Sequence, residues 1–206
     1  SAGILQLDNG VTAGQLGTGA IRNDGQLVFS RGAGSVDLNV EGAVSGSGSL
    51  THDGAANTRV TLHGPTSSYS GGTTVNSGIL RGEDINGDTQ FLQLGTGPVT
   101  LNGGSLELRG NGGADFVTIV TGDGVTGNSV LLNASSTLNI GRYNGTRTNN
   151  TFRLGGLTIG NHTLTLTVAN KYRAAFAGPI TLTGNATFST ALDDTSSWLA
   201  LEGPMT

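Results

Sequence analysis

The 206-residue sequence has no cysteine, one lysine (Lys171) and only four glutamates. Without thiols there is no disulfide framework and no thiolate metal site. The compartment stays open on this count, because proteins of any compartment can lack Cys. Charged residues make up 12% of the chain, roughly half the usual ~25%. The net charge is only -4, with Val, Ile and Leu plentiful, which excludes disorder driven by charge repulsion and argues against a nucleic-acid partner. No apolar run approaches the ~18 residues of a membrane-spanning helix, and no secretory n- or h-region is present. The abrupt opening at Ser1-Ala2-Gly3 reads as the start of a piece of something longer. Helix is poorly supplied too, because strong helix formers are scarce among so much Gly, Thr and Val.

What the chain does have is glycine, 36 residues of it, more than double the usual ~7%. Between the glycines run short apolar pairs spaced two apart: Leu27/Phe29, Val36/Leu38/Val40, Val60/Leu62, Val99/Leu101, Leu106/Leu108, Leu138/Ile140 and Leu164/Leu166 among others. A period of two places each pair on one face of a strand, with Thr, Ser and Asn on the other. Gly- or Asn-rich punctuation follows nearly every pair, so the strands are short. They lie too close together for crossover helices. Ile159 to Leu182 and Leu166 to Phe188 suggest a coarser period of ~22 residues, the length of one solenoid coil. The fold class expected is all-β: a right-handed parallel β-helix (solenoid) with about three short strands per coil of ~20–23 residues. At ~4.8 Å per rung and roughly nine or ten rungs, the rod would be about 45 Å long.

Longer self-similarity points the same way. "GILQL" at Gly3 recurs as "GILRG" at Gly78, and "QLGTGAIRNDGQLVF" from Gln15 recurs as "QLGTGPVTLNGGSLEL" from Gln93. "GPITLTGNATF" at Gly178 echoes the segment at Gly97, and "EGAVS" at Glu41 recurs as "EGPMT" at Glu202. Residues 1–206 are therefore read as one β-helical segment of a larger protein. Its units span approximately 1–77, 78–160 and a partial 161–206, with roughly four coils to a unit.

The stretch Glu41–Gly82 resembles the passenger-associated transport repeat, also called the autotransporter-associated β-strand repeat. The matching residues lie in "SGSGSLT" (Ser45, Gly46, Gly48 and Leu50), "VTLHG" (Val60 to Gly64) and "YSGGTTVNSGIL" (Tyr69, Gly71, Gly72, Thr73, Val75, Gly78 and Leu80). His52 stands where the family usually has Lys, and "AANTR" replaces a shorter turn. The core match covers about forty residues of the 206. The resemblance implies a right-handed β-helix in an autotransporter-type passenger of a bacterium, secreted or displayed at the cell surface. It implies a motif associated with export and folding that carries no catalytic residue.

Reactive chemistry is sparse. His52, His63 and His162 show no zinc-site spacing and are read as surface rung residues. Asp84, Asn86 and Asp88 mimic the start of a calcium loop, but Thr89 and Gly95 stand where Gly and a bidentate acid belong. "LRGNGGADF", ending just past Asp115, approximates one calcium-binding nonapeptide where several in tandem are needed. Calcium at either place is left open, and no cofactor is implied. Asp193 and Asp194 are adjacent and would point to opposite faces of a strand. No acid lies between Gly124 and Leu192, where Arg142, Arg147, Arg153, Lys171 and Arg173 fall. These five form a candidate basic stripe for an acidic glycan or other anion, weighed against solvated arginines on turns. Trp198, the sole Trp, is read as a corner or end-cap residue, with a sugar-stacking platform as the sharper alternative.

The function expected is that of a non-enzymatic stalk or adhesive segment, extracellular or at the cell surface. Its partners would be further β-helical repeats of the same chain, with surface glycans, a host receptor or self-association through open ends as others. The alternatives are a carbohydrate- or host-receptor-binding module using the basic stripe and, behind it, a β-helical polysaccharide lyase or hydrolase. The last needs a carboxylate pair and a cation converging on one sheet, which the sequence alone does not assemble.

Overall fold

The computed structural model describes residues 3–9, 14–35 and 37–206. Val36, grouped above with Leu38 and Val40, lies outside the described residues. Among those residues 22 strands form and no helix does. Every strand pairing is parallel. The described residues form a β-solenoid with three main sheets, to each of which a coil adds at most one strand.

The first sheet has eight strands in chain order: Ile4–Leu7, Gln26–Phe29, Ser49–Asp53, Thr73–Ser77, Val99–Leu101, Val130–Leu132, Leu157–Ile159 and Ile180–Leu182. The second has seven: Leu38–Val40, Arg59–Leu62, Ile79–Glu83, Ser105–Arg109, Ser136–Gly141, Thr163–Val168 and Thr187–Ala191. The third has five: Gln90–Phe91, Thr118–Thr121, Thr151–Leu154, Arg173–Phe176 and Leu199–Leu201. Ile21–Arg22 and Val44–Ser45 make a separate two-stranded sheet.

The period-two pairs become rows of stacked side chains. On the first sheet one inward row runs Leu27, Leu50, Thr73, Val99, Val130, Leu157, Ile180 in register. On the second, Val60, Leu80, Leu106, Leu138 and Leu166 stack likewise, all buried. Each fully buried Leu contributes about 1.5–3 kcal/mol relative to exposure, so the core grows by a similar increment with each coil. Behind the third sheet the core turns aromatic. Phe91 meets Phe152 edge-on at 5.2 Å between ring centres, and Phe152 lies 6.2 Å from Tyr172. Gly82 makes room for this, since a Cβ there would meet Phe91 Cζ at 2.7 Å.

Coil length is uneven. The rungs Ile4 to Gln26, Gln26 to Ser49, Leu50 to Thr73 and Leu157 to Ile180 step by 22 or 23 residues. Thr73 to Val99, Val99 to Val130 and Val130 to Leu157 step by 26, 31 and 27. The excess lies in surface loops such as 84–89, 110–117 and 142–150, which connect faces without adding a rung. The rod therefore has eight rungs, with the bridge Ile180–Met205 opening a ninth, where nine or ten were expected. At ~4.8 Å per rung the eight span about 34 Å.

The same unevenness shifts the sequence echoes. "GILQL" lies on the first sheet, whereas "GILRG" lies on the second. Val44 of "EGAVS" sits in the two-stranded sheet, while Met205 of "EGPMT" bridges to the first sheet. Only the echo between Gly97 and Gly178 keeps its faces, and Val99 and Ile180 are three rungs apart, not four.

Within the resemblance segment, Tyr69 is fully buried. Thr73 Oγ1 donates to the Leu94 carbonyl at 3.0 Å, so the Tyr69 hydroxyl, 2.6 Å away, donates to Thr73 Oγ1. Burial raises the Tyr69 phenol's pKa, so the hydroxyl keeps the proton it donates. Leu50, Val75 and Leu80 enter the core, Ser45 Oγ donates to the Ile21 carbonyl, and Ile79 is half-buried. Gly46, Gly72 and Gly78 take positive φ angles of 108°, 90° and 71°. Gly48 and Gly71 belong to a glycine column at the entry to the first sheet. A Cβ on Gly25 would meet the Gly3 carbonyl oxygen at 2.1 Å, one on Gly48 the Gly25 oxygen at 2.3 Å, and one on Gly71 the Gly48 carbonyl at 2.7 Å. No side chain fits between coils there.

Candidate functional site

His52 is a correction to the sequence reading. It sits on the strand Ser49–Asp53 on the same side as Leu50, fully buried between Phe29 and Val75 of the adjacent rungs. Neither ring nitrogen makes a well-aligned hydrogen bond, and burial pushes its pKa below the usual 6.5 against weak contacts with the Thr58 and Phe29 backbone. His63 is instead an outward residue whose Nδ1 lies 2.7 Å from Glu83 Oε2. His162 is half-buried on a turn.

Glu83 belongs to a charge network on the outer face of the second sheet that sequence reading missed. Asp37 pairs with Arg59 at 2.7 Å, and Arg59 approaches Glu107 at 3.6 Å. Arg81 bridges Glu107 at 2.5 Å and Glu83 at 3.2 Å, and Arg109 approaches Glu107 at 3.7 Å. Arg109 Nη2 then donates to Asn139 Oδ1, and the Asn139 amide donates to Thr167 Oγ1. The ladder crosses six consecutive coils because the register places Arg81 beside Glu107, Glu107 beside Asn139, and Asn139 beside Thr167. Burial lowers the Arg109 pKa, with Glu107 opposing that shift.

This is a carboxylate pair with cations on one sheet, the constellation the lyase or hydrolase alternative requires. Both oxygens of Glu83 and both of Glu107 are engaged, by His63, Arg81, Arg59 and Arg109. In this geometry either carboxylate enters acid–base chemistry only by surrendering an ion pair. What the arrangement does without rearrangement is tie each coil to the next.

The basic stripe does not assemble as one surface. Arg142 and Arg147 lie in the loop 142–150, where Arg142 Nη1 donates to the Arg147 carbonyl and Arg147 is exposed. Lys171 is met by Asp194 at 3.6 Å, and its backbone amide donates to the Asp193 carboxylate. The acid-free run between residues 124 and 192 is thus supplied with acids from the next coil. Arg153 and Arg173 alone lie on the third sheet, facing outward. Arg173 donates to the carbonyls of Ser196 and Asn149, and its guanidinium sits 5.8 Å from the Phe116 ring centre and 5.6 Å from that of Trp198. Such stacking is worth about 0.5–1 kcal/mol at exposed sites.

In the loop of Asp84 and Asp88, Asp84 Oδ1 accepts from the amides of Asn86 and Gly87. Asp84 is buried, and burial raises its pKa. Asp115 accepts from the Thr148 amide. Among the described residues no three His, Asp or Glu come together in a way that could hold a metal ion.

Comparison of the chain with models of protein families, with curated proteins and with solved structures found no match in any of the three. The resemblance to the passenger-associated transport repeat therefore rests on the residues quoted for it.

Proposed function

We propose that the chain is a non-enzymatic β-helical stalk segment of a secreted or surface-displayed bacterial protein of the autotransporter type. It holds other parts of that protein at a distance and supports its export and folding. The observation that carries this reading is the charge ladder of the second sheet, where the most densely functionalised face spends its ionisable groups on its own coils. A parallel solenoid suits the role because each added coil repeats the same core and register. Further coils, or a second copy, would meet the apolar side chains exposed at the two ends, Ile4 and Leu5 at one and Leu182 and Met205 at the other.

The test is incubation of the purified segment with a panel of neutral and acidic polysaccharides. No release of reducing ends or unsaturated products is expected. Sustained turnover that disappears in Glu107→Gln would overturn the stalk reading in favour of the enzyme.

A second reading, a carbohydrate- or receptor-binding module, is favoured by the aromatic rings flanking Arg173.

A further inference from the structure

The outer face of the third sheet holds what the second sheet's face lacks: a cation, Arg153, with no side-chain partner among the described residues. One outward row runs Gln90, Val120, Arg153, Ala175, Ala200 in register. Ala175, which is buried, leaves the sheet surface low beside Arg153. Trp198 borders this dip on the next coil, and Glu202 closes it beyond the last strand. With Thr118 and Thr151 they enclose a shallow cavity of about 520 Å³.

Three properties of this cavity point to one ligand class. Trp198 keeps 36% of its surface exposed, and Arg173, itself anchored to two carbonyls, holds its guanidinium 5.6 Å from the indole ring centre. A half-exposed indole at the edge of a shallow dip is a platform for a flat apolar ring face. Arg153 and Glu202 flank it, and neither side chain has an ion pair or side-chain hydrogen bond among the described residues. They bring one donor fork and one acceptor of opposite charge, so their charges cancel. Outside the cavity lining, Phe116 lies 5.8 Å from the Arg173 guanidinium, 71% exposed and held at a φ of 60°, a conformation bulky residues rarely adopt. A pyranose presents what this surface lacks: an apolar C–H face and a rim of hydroxyls that both donate and accept.

We infer that the groove formed by Trp198, Ala175, Arg153 and Glu202 binds a pyranose unit of a neutral glycan. Trp198 stacks on the ring face while Arg153 donates to, and Glu202 accepts from, its hydroxyls. The inference deepens the carbohydrate-binding reading, gives it a site different from the Arg142–Arg147 loop, and stands independently of the stalk reading.

Because Trp198 is the only Trp, its fluorescence reports on the groove directly. The experiment titrates the segment with neutral hexose oligosaccharides, oligouronates and N-acetylhexosamine oligomers, and follows Trp emission with calorimetry in parallel. A saturable emission change with a neutral oligosaccharide is expected. Arg153→Ala should weaken it about tenfold and Trp198→Ala about 30-fold by calorimetry, with Arg147→Ala unchanged. Trp198→Phe, which keeps an aromatic face, should retain most of the affinity and guards against misfolding as the cause. A preference of tenfold or more for oligouronates would overturn the neutral-sugar assignment. Binding lost in Arg147→Ala but kept in Arg153→Ala would overturn the groove while leaving carbohydrate binding in place. Calorimetric silence across the panel would overturn both.

Discussion

The outer faces of the second and third sheets have the same backbone pattern and opposite economies of charge. On the second, Arg81 sits between Glu83 and Glu107, and every carboxylate oxygen of the pair is taken. On the third, Arg153 stacks between Val120 and Ala175, neighbours that offer it nothing. Parallel register makes this difference decisive, since it fixes which residues of the neighbouring coils each side chain can reach. Where those neighbours are complementary the surface closes on itself. Where they are apolar or small, polar groups remain available to something outside the chain.

The contrast can be broken from the inside first. Phe152→Ala, which empties the aromatic stack beneath the third sheet, should cost about 3–5 kcal/mol in chemical denaturation. Next comes Arg81→Ala, which leaves Glu83 and Glu107 without their shared cation. A loss of roughly 2 kcal/mol is expected, shrinking in the double variant with Glu107→Gln. A smaller, pH-dependent effect belongs to His52. Its folded pKa lies below the unfolded value of 6.5, so the unfolded chain takes up the proton first as pH falls. Stability should hold above about pH 6.5 and decline below it through the lowered folded value, and His52→Leu should remove that part of the decline in denaturation curves at successive pH values. The smallest effect should be that of Arg153→Ala, within about 0.5 kcal/mol, because its side chain supports no partner. A stability loss there equal to that of Arg81→Ala would erase the distinction between the two faces.

The fold was legible because the core repeats on the shortest possible scale. Pairs such as Leu106/Leu108 and Leu138/Ile140 announce a strand and its buried face without any knowledge of neighbours. The sites were legible only as single residues, Trp198 and Arg153 among them, because their assembly depends on register between coils, and coils of 22 to 31 residues have no fixed spacing to read. Glu107 and Arg81 are adjacent only because a loop of particular length separates their strands. Lys171 looked unopposed until the next coil delivered Asp194. His52 was misplaced for a different reason: lack of metal-site spacing with the other histidines excludes a ligand and says nothing of which face of a strand it takes, whereas the alternation sets it beside Leu50. That local pattern was present in the sequence and would have found it.

The glycine column through Gly3, Gly25, Gly48 and Gly71 has an architectural corollary. At that corner successive turns touch backbone to backbone, so nothing can be added there without prising the rod apart. The corner between the second and third sheets is looser, with a Cβ added at Gly113 approaching the Gly87 carbonyl oxygen only to 3.2 Å, and segments as different as 169–172 and 142–150 bridge it. Past the fourth coil the entry to the first sheet loosens too, reached by segments as different as 122–129 and 155–156, so the seam is shut only where the glycines stack.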